Sequence, residues 1–283
     1  MDDDFIFDLA YLFDQEVNVQ NYKVKGVALD MWGEKPLKTH KKNLQINKFM
    51  KSFRLSLLKI ITDSLISESI YISVYAGTAL AVWRDDGKMI PHDHDIDMAI
   101  LEPDFLKVYN LLNGNDELYI DSLCPFSLNK WINDDCTQQI LYNKIGLKRI
   151  KVYFRDSYIK SMAQQDKKFQ KLMINYDRTK LFVDIFVLQK NFDTNNYHVT
   201  WNIPNFYDSD KKAFPEKALL PFKSYLFEGI AVFGPNNIQK YLEIEYGYLG
   251  KDCRYDDESQ LYVKLNEMEF EALPKDIKNY MLH

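Results

Sequence analysis

The chain has 283 residues, is 46% hydrophobic and 27% charged, and carries a formal net charge of −5. That is ordinary globular composition for one large domain or a domain with appendages, and an acidic balance without a long basic stripe argues against nonspecific nucleic-acid binding. Three cysteines (Cys124, Cys136, Cys253) lack paired or zinc-type spacing, which argues against a disulfide framework and for a reducing compartment.

The N-terminus, Met1-Asp2-Asp3-Asp4, is acidic where a secretory leader would be basic. No run reaches the roughly 18 apolar residues of a membrane span, so the expectation is a cytoplasmic protein with no integral membrane segment. Residues 1–45 read as an irregular extension ending in a basic, turn-rich stretch over 35–42, taken as a solvated loop. From Ile46 the spacing predicts a helix, because Phe49, Phe53, Leu57, Ile60, Ile61 and Leu65 recur at threes and fours. Residues 70–76 then read as a strand, 78–83 as a short helix, Asp85-Asp86-Gly87 as a turn, and 95–101 as a second strand.

Signals over 101–140 are weak and read as helix and loop. Residues 145–154 and 171–176 read as strands, and Asp177-Arg178 turns the second into an apolar strand over 181–188. The stretch 199–234, rich in aromatics and holding Pro204, Pro215 and Pro221, reads as loops wrapped on the core. A helix over 237–246 follows, with Pro235-Asn236 as its start signal and Gly247 as its stop. The tail, 251–283, is polar with scattered apolar residues and is expected to pack peripherally.

Asp93, Asp95 and Asp97 are the informative residues. On a strand, alternate positions share a face, so the three project together while Ile96, Met98 and Ile100 turn toward a core. Three carboxylates within about 13 Å repel one another unless cations lie between them. Oxygen-only ligands suit Mg²⁺ or Mn²⁺, ions that commonly bring a phosphate with them. Asp184 sits in the middle of the apolar strand 181–188, where an unpartnered carboxylate would cost several kcal/mol. A metal shared with Asp95 and Asp97 removes that cost; the alternative is pairing with an Arg or Lys. Upstream, Gly77 lets backbone approach a phosphate closely, and a helix beginning near Thr78 offers free N–H groups.

A strand, a Gly-Thr turn into a helix, a strand bearing Asp-x-Asp and a later strand bearing one Asp resemble the core of the nucleotidyltransferase superfamily. More closely, the chain resembles the LicD/fukutin family of phosphotransferases. The matching residues are Gly77-Thr78, Leu80, Arg84, Ile90-Pro91, Asp93, Asp95-Ile96-Asp97, Val183-Asp184-Ile185-Phe186 and Tyr246-Gly247, spread over roughly residues 50–250. Phe214-Pro215, Phe227-Glu228-Gly229 and 232–235 also look like the family's region before its last helix. Ala81, His92, Val187 and Gln189 depart from the family's usual Gly, Trp, Pro and Asp, and none of these removes a metal ligand.

The resemblance implies an α+β fold, with a nucleotidyltransferase-like mixed β-sheet core, flanking helices and a loop-rich C-terminal part. It implies a catalytic domain over 46–250 that moves a phosphoalcohol (phosphocholine or a polyol phosphate) from a CDP-activated donor to a glycan hydroxyl. On that basis Asp95, Asp97 and Asp184 are catalytic and hold Mg²⁺ or Mn²⁺, with Asp93 as a further candidate ligand or an orienter of Arg84. Gly77, Thr78 and Arg84 are the donor-phosphate candidates, Arg84 by its fork geometry or, alternatively, as a salt bridge to Asp93. His92 and His94 alternate away from the aspartate face and read as structural or substrate-lining. Lys144, Lys148, Arg149, Arg155, Arg178 and Lys180 flank the candidate strands as possible donor contacts, and Trp83, Trp131, Trp201 and Tyr246 read as core packing. Competing readings are a nucleotidyltransferase acting on a small molecule or protein, an Asp-x-Asp nucleotide-sugar glycosyltransferase, and a ligand-binding scaffold on an inactive transferase fold.

Overall fold

The computed structural model describes residues 37–90, 93, 95–121, 149–165, 181–199, 212–256, 258–259, 261–273, 275 and 278. In chain order the elements are helix α1 (Leu37–Ile66), strand β1 (Ser73–Val74), helix α2 (Ala76–Arg84), β2 (Asp97–Leu101), α3 (Phe105–Asn113), β3 (Leu118–Asp121), β4 (Arg149–Phe154), α4 (Asp156–Gln165) and β5 (Phe182–Asn191). Then come β6 (Asn196–Val199), β7 (Phe214–Pro215), α5 (Glu216–Leu219), β8 (Lys223–Phe227), β9 (Ile230–Gly234), α6 (Ile238–Tyr246), β10 (Cys253–Asp256), β11 (Leu261–Lys264) and α7 (Glu267–Glu271).

Nine of the described strands build one mixed sheet in the order β3-β4-β5-β2-β1-β9-β8, with β6 and β7 added beside the far end of β5, and β10 and β11 form a separate pair. The molecule is α+β, as expected. Strands β5, β2 and β1 are neighbours: β5 runs parallel to β2, and β2 antiparallel to β1. Seven consecutive residues of β5, Phe182 to Leu188, are buried, which is what a central strand covered on both faces requires. On one face Met98, Ile100, Ile150, Val152, Val183, Ile185 and Val187 are each fully buried. Helices α1 and α3 cover that face, α1 contributing Leu57, Leu58, Ile61 and Leu65 and α3 Val108 and Leu112, all at 0% exposure. On the other face Tyr75 packs on Phe186 with ring centroids 4.8 Å apart, and Tyr241 of α6 lies 5.9 Å from Tyr75.

Several elements differ from the sequence reading. Helix α1 begins at Leu37, so residues 37–42 are helical rather than loop. No Gly or Pro interrupts 37–66, and the polar first turns lack only the apolar stripe that made the helix visible from Ile46. Strand β1 is two residues long because Ala76, at φ 42, turns the chain directly into α2, which starts before Thr78. Strand β2 starts at Asp97, so Asp93 and Asp95 precede it and strand alternation does not govern them.

The expected loops over 199–234 contain, among their described residues, three strands of the main sheet, β7, β8 and β9, and the short helix α5. Strands β8 and β9 form a hairpin, and β9 lies parallel to β1. Its turn residues Glu228 (φ 50) and Gly229 (φ 81) are both left-handed, as a type I′ turn requires; glutamate in the first slot disguised a turn usually announced by Asn or Asp. The Glu228 carboxylate accepts from the Met89 N–H at 2.6 Å and pairs with Lys51 at 2.6 Å, so the hairpin tip is fastened to α1 and to the loop after α2.

Asn237 caps α6 by accepting from the Lys240 N–H, and Gly247 (φ 79) ends it. Beyond it, β10 and β11 pair with each other, and Tyr248 N–H donates to the Tyr262 carbonyl, seating this hairpin against the end of α6. Residues 171–178, expected as strand and turn, and 145–148, the first part of an expected strand, lie outside the described residues. No helix among the described residues is long and apolar enough to cross a membrane.

Candidate functional site

Asp97 is held by backbone on both sides. Its N–H donates to the Thr78 hydroxyl at 2.9 Å, and its carbonyl accepts from the Tyr75 N–H at 3.0 Å. Thr78 is 2% exposed, so this hydroxyl ties the first turn of α2 to the first residue of β2. In the parallel pairing Asp97 stands opposite Asp184, and the Asp184 N–H donates to the Ile96 carbonyl at 2.9 Å. One carboxylate oxygen from each of Asp95, Asp97 and Asp184 lies within 4.8 Å of the others. Asp184 is 1% exposed, and Asp95 and Asp97 are partly exposed at the site's mouth.

Such a donor set fits a hard divalent cation. All three donors are carboxylate oxygens, and two oxygens on one Mg²⁺ stand at most about 4.2 Å apart, so closure needs only small side-chain rotations or a second ion. A soft metal would find no thiolate or imidazole in this group.

Asp184 also has a cationic neighbour, as the alternative reading of its burial allowed, at a residue the sequence did not single out. Lys151 stands directly opposite it across the antiparallel β4–β5 pairing, with Nζ 3.5 Å from Asp184 Oδ2 and 3.5 Å above the centre of the Phe182 ring. The alternation of Arg149-Ile150-Lys151-Val152-Tyr153-Phe154 was legible, and it sends Ile150, Val152 and Phe154 to the core. What was not legible is the register that puts Lys151, rather than Arg149 or Tyr153, beside Asp184.

Gly77 lies inside α2, and a Cβ there would meet Asp93 Oδ2 at 2.8 Å. The anion resting against Gly77 is therefore the Asp93 carboxylate, and Asp93 is not one of the three convergent residues. The Ala76 N–H is taken by the Tyr241 hydroxyl at 3.1 Å. Arg84 Nε donates to Asp85 at 2.9 Å, and the other oxygen of Asp85 faces Lys251 at 3.6 Å. Arg84 also lines a shallow surface pocket together with Leu80, Tyr246, Tyr248 and Tyr262.

Burial first, and then the negative fields of Glu245 and Asp97, push the Tyr241 and Tyr246 phenols well above their ordinary value, so both stay neutral. The Tyr246 hydroxyl is buried without a hydrogen-bond partner among the described residues. Tyr246 is core, as expected, but Trp83 is 38% exposed and is not. Arg155 donates to the Leu118 carbonyl at 2.9 Å, a clasp on the α3–β3 connection. His92, His94, Trp131, Trp201, Lys144, Lys148, Arg178 and Lys180 lie outside the described residues.

Residues 69–157 match the family model described as LicD/FKTN/FKRP, nucleotidyltransferase domain. The matched stretch holds Gly77, Thr78, Arg84, Asp93, Asp95, Asp97 and Lys151, and it ends before Asp184. No curated protein matches the chain. The match supports a transferase with a phosphotransferase-like role in glycan or phosphoalcohol modification in general. Over residues 69–157, with their Gly-Thr helix start and Asp-x-Asp strand, the chain is similar to the LicD/fukutin-like family, and the match supports its membership there.

Proposed function

We propose that this protein is a Mg²⁺- or Mn²⁺-dependent phosphotransferase that moves a phosphoalcohol, phosphocholine or a polyol phosphate, from a CDP-activated donor to a glycan hydroxyl. The observation that carries the reading is the convergence of Asp95, Asp97 and Asp184 within 4.8 Å at the start of two parallel strands. The acidic group repels a diphosphate donor, so the donor enters only together with cations that outweigh the carboxylates. The preference for cytidine and for a glycan acceptor rests on the family resemblance.

Asp95, Asp97 and Asp184 would hold the ions. When bound, these supply charge neutralisation of the transferring phosphoryl group and its leaving group. Asp184 is the carboxylate proposed to take the proton of the attacking hydroxyl as its oxygen bonds to phosphorus and the bond to CMP breaks. Arg84 is proposed to clamp the donor phosphates through its fork. The Thr78 hydroxyl is engaged by the Asp97 amide and so positions a ligand, while Thr78 stays a donor-phosphate candidate through the N–H groups at the start of α2. Gly77 supplies close approach, to the Asp93 carboxylate and, when that side chain turns away, to a donor phosphate. We place the catalytic unit at 46–250, with residues 1–45 as an extension and 251–283 as a tail packed on it.

A thermal-shift panel of CDP-alcohols, CDP, CTP, UDP-sugars and ATP, each with and without Mg²⁺ or Mn²⁺, tests this reading. CDP-linked compounds with metal should raise the melting temperature most, by mass action. Selective stabilisation and turnover of UDP-sugars would transfer the protein to the glycosyltransferase reading. Pyrophosphate release from CTP or ATP would transfer it to the nucleotidyltransferase reading, and donor binding without turnover to the scaffold reading.

A further inference from the structure

We propose that Lys151 is a phosphate ligand of the site, held on Asp184 until a divalent cation takes that carboxylate. The inference rests on the metal-dependent reading above, and it concerns a residue to which neither the family match nor the sequence motifs assign a role.

The position of Lys151 is fixed by the sheet. Ile150 and Val152 are fully buried on the opposite face, so a one-residue slip of β4 would bury the ammonium in the apolar core. Register then brings Lys151 alongside Asp184, with its side chain 14% exposed. The 3.5 Å separation is longer than the 2.7–3.2 Å of a direct N–H···O bond, so the contact is a charge pairing that breaks without loss of a short hydrogen bond. In the metal-free protein Lys151 gives the buried Asp184 carboxylate the counter-charge it needs.

A divalent ion on Asp184 would lie about 2.1 Å from its oxygen, and therefore within about 6 Å of the Lys151 ammonium. Two cations at that range repel, and Lys151 has a flexible four-carbon stem that lets its charge move. The Phe182 ring, 3.5 Å beneath Nζ, gives the ammonium a face over which to pivot while keeping a favourable contact. With the carboxylates engaged by metal, the anion that arrives with the ion is the donor diphosphate, and a lysine is a competent point-charge ligand for it. One side chain thus competes with the metal and assists the donor.

Lys151→Met tests the proposal, because it keeps the stem and removes the charge. Mn²⁺ alone is titrated calorimetrically, followed by CDP at saturating Mn²⁺. The expected result is Mn²⁺ binding about tenfold tighter than wild type and CDP binding about tenfold weaker, with Lys151→Arg restoring CDP binding (each tenfold is about 1.4 kcal/mol). Loss of a merely structural lysine would weaken both together, and that result, or unchanged affinities, would overturn the inference.

Lysine acetylation of the wild-type protein, read by mass spectrometry, gives a second measurement that does not depend on a variant folding. Lys151 should be protected without metal, reactive with Mn²⁺, and protected again with Mn²⁺ plus CDP; reactivity that ignores Mn²⁺ overturns the proposal. A wild type that shows no saturable Mn²⁺ binding removes the metal reading itself. Saturable binding with none of the Lys151 effects removes only this inference.

Discussion

Replacing Asp184 by Asn removes one charge from the most buried carboxylate of the site and leaves its size unchanged. In the metal-free protein two effects oppose. Repulsion from Asp95 and Asp97, at up to 4.8 Å each, is worth roughly 3.5 kcal/mol per pair at an effective dielectric of about 20. Attraction to Lys151 at 3.5 Å is worth roughly 4.7 kcal/mol on the same scale. Water at the partly exposed Asp95 and Asp97 screens the repulsions, so the opposing contributions cancel to within about 2 kcal/mol. The metal-free mutant should then melt within several degrees of wild type, at about 2–4 °C per kcal/mol for a chain of this size.

Metal separates the two proteins. At a hundredfold excess of Mn²⁺ over its dissociation constant, wild type gains about 2.7 kcal/mol, a rise of about 5–10 °C. Asp184→Asn should show less than half of that rise. The chemical step should fall by roughly 10²-fold or more, since phosphoryl transfer depends on positioning and electrostatics. The assays are differential scanning fluorimetry with and without Mn²⁺, and single-turnover transfer at saturating donor and metal. An Asp184→Asn protein with the wild-type Mn²⁺ shift and wild-type transfer would refute the assignment of this carboxylate.

Thr78→Val leaves the Asp97 N–H without its acceptor in a part-buried setting and should cost about 1 kcal/mol, with weaker Mn²⁺ binding, whereas Thr78→Ser should stay near wild type in both. Urea midpoints and Mn²⁺ titration measure the pair. Tyr248 carries a pH signature: burial, then its hydrogen bond to Asp252 at 2.7 Å, pushes the phenol up to about 12. Because the folded value lies above the ordinary 10, the stability this neutral phenol contributes is fully present below pH 10 and lost as pH rises through about 12. Urea midpoints of wild type between pH 10 and 12 should therefore fall more steeply than those of Tyr248→Phe, and parallel slopes would contradict the assignment.

The parts of the site legible in the sequence are those whose signals act over a few residues. The run 181–188 could only be a buried strand, and a lone aspartate inside it demanded a counter-charge whatever the fold. The apolar recurrence of Leu57, Ile61 and Leu65 specified a core-facing helix stripe, and Pro235-Asn236 and Gly247 bracketed α6, although the residue that caps it is Asn237.

Tertiary structure decided everything that depends on register or on long separations. Asp93, Asp95 and Asp97 look equivalent by alternation, yet β2 begins at Asp97; Asp95 converges with Asp97 and Asp184, while Asp93 lies against Gly77. Nothing local to Thr78 says that its hydroxyl meets the Asp97 amide, a contact made only where β2 passes the first turn of α2. Lys151 is one of several basic residues in its region, and only the β4–β5 pairing sets it beside Asp184. The physical reason is common to all three. Local propensity and periodicity say which face a side chain takes, but strand pairing alone sets which neighbour it meets there, and a shift of one residue would exchange every partner.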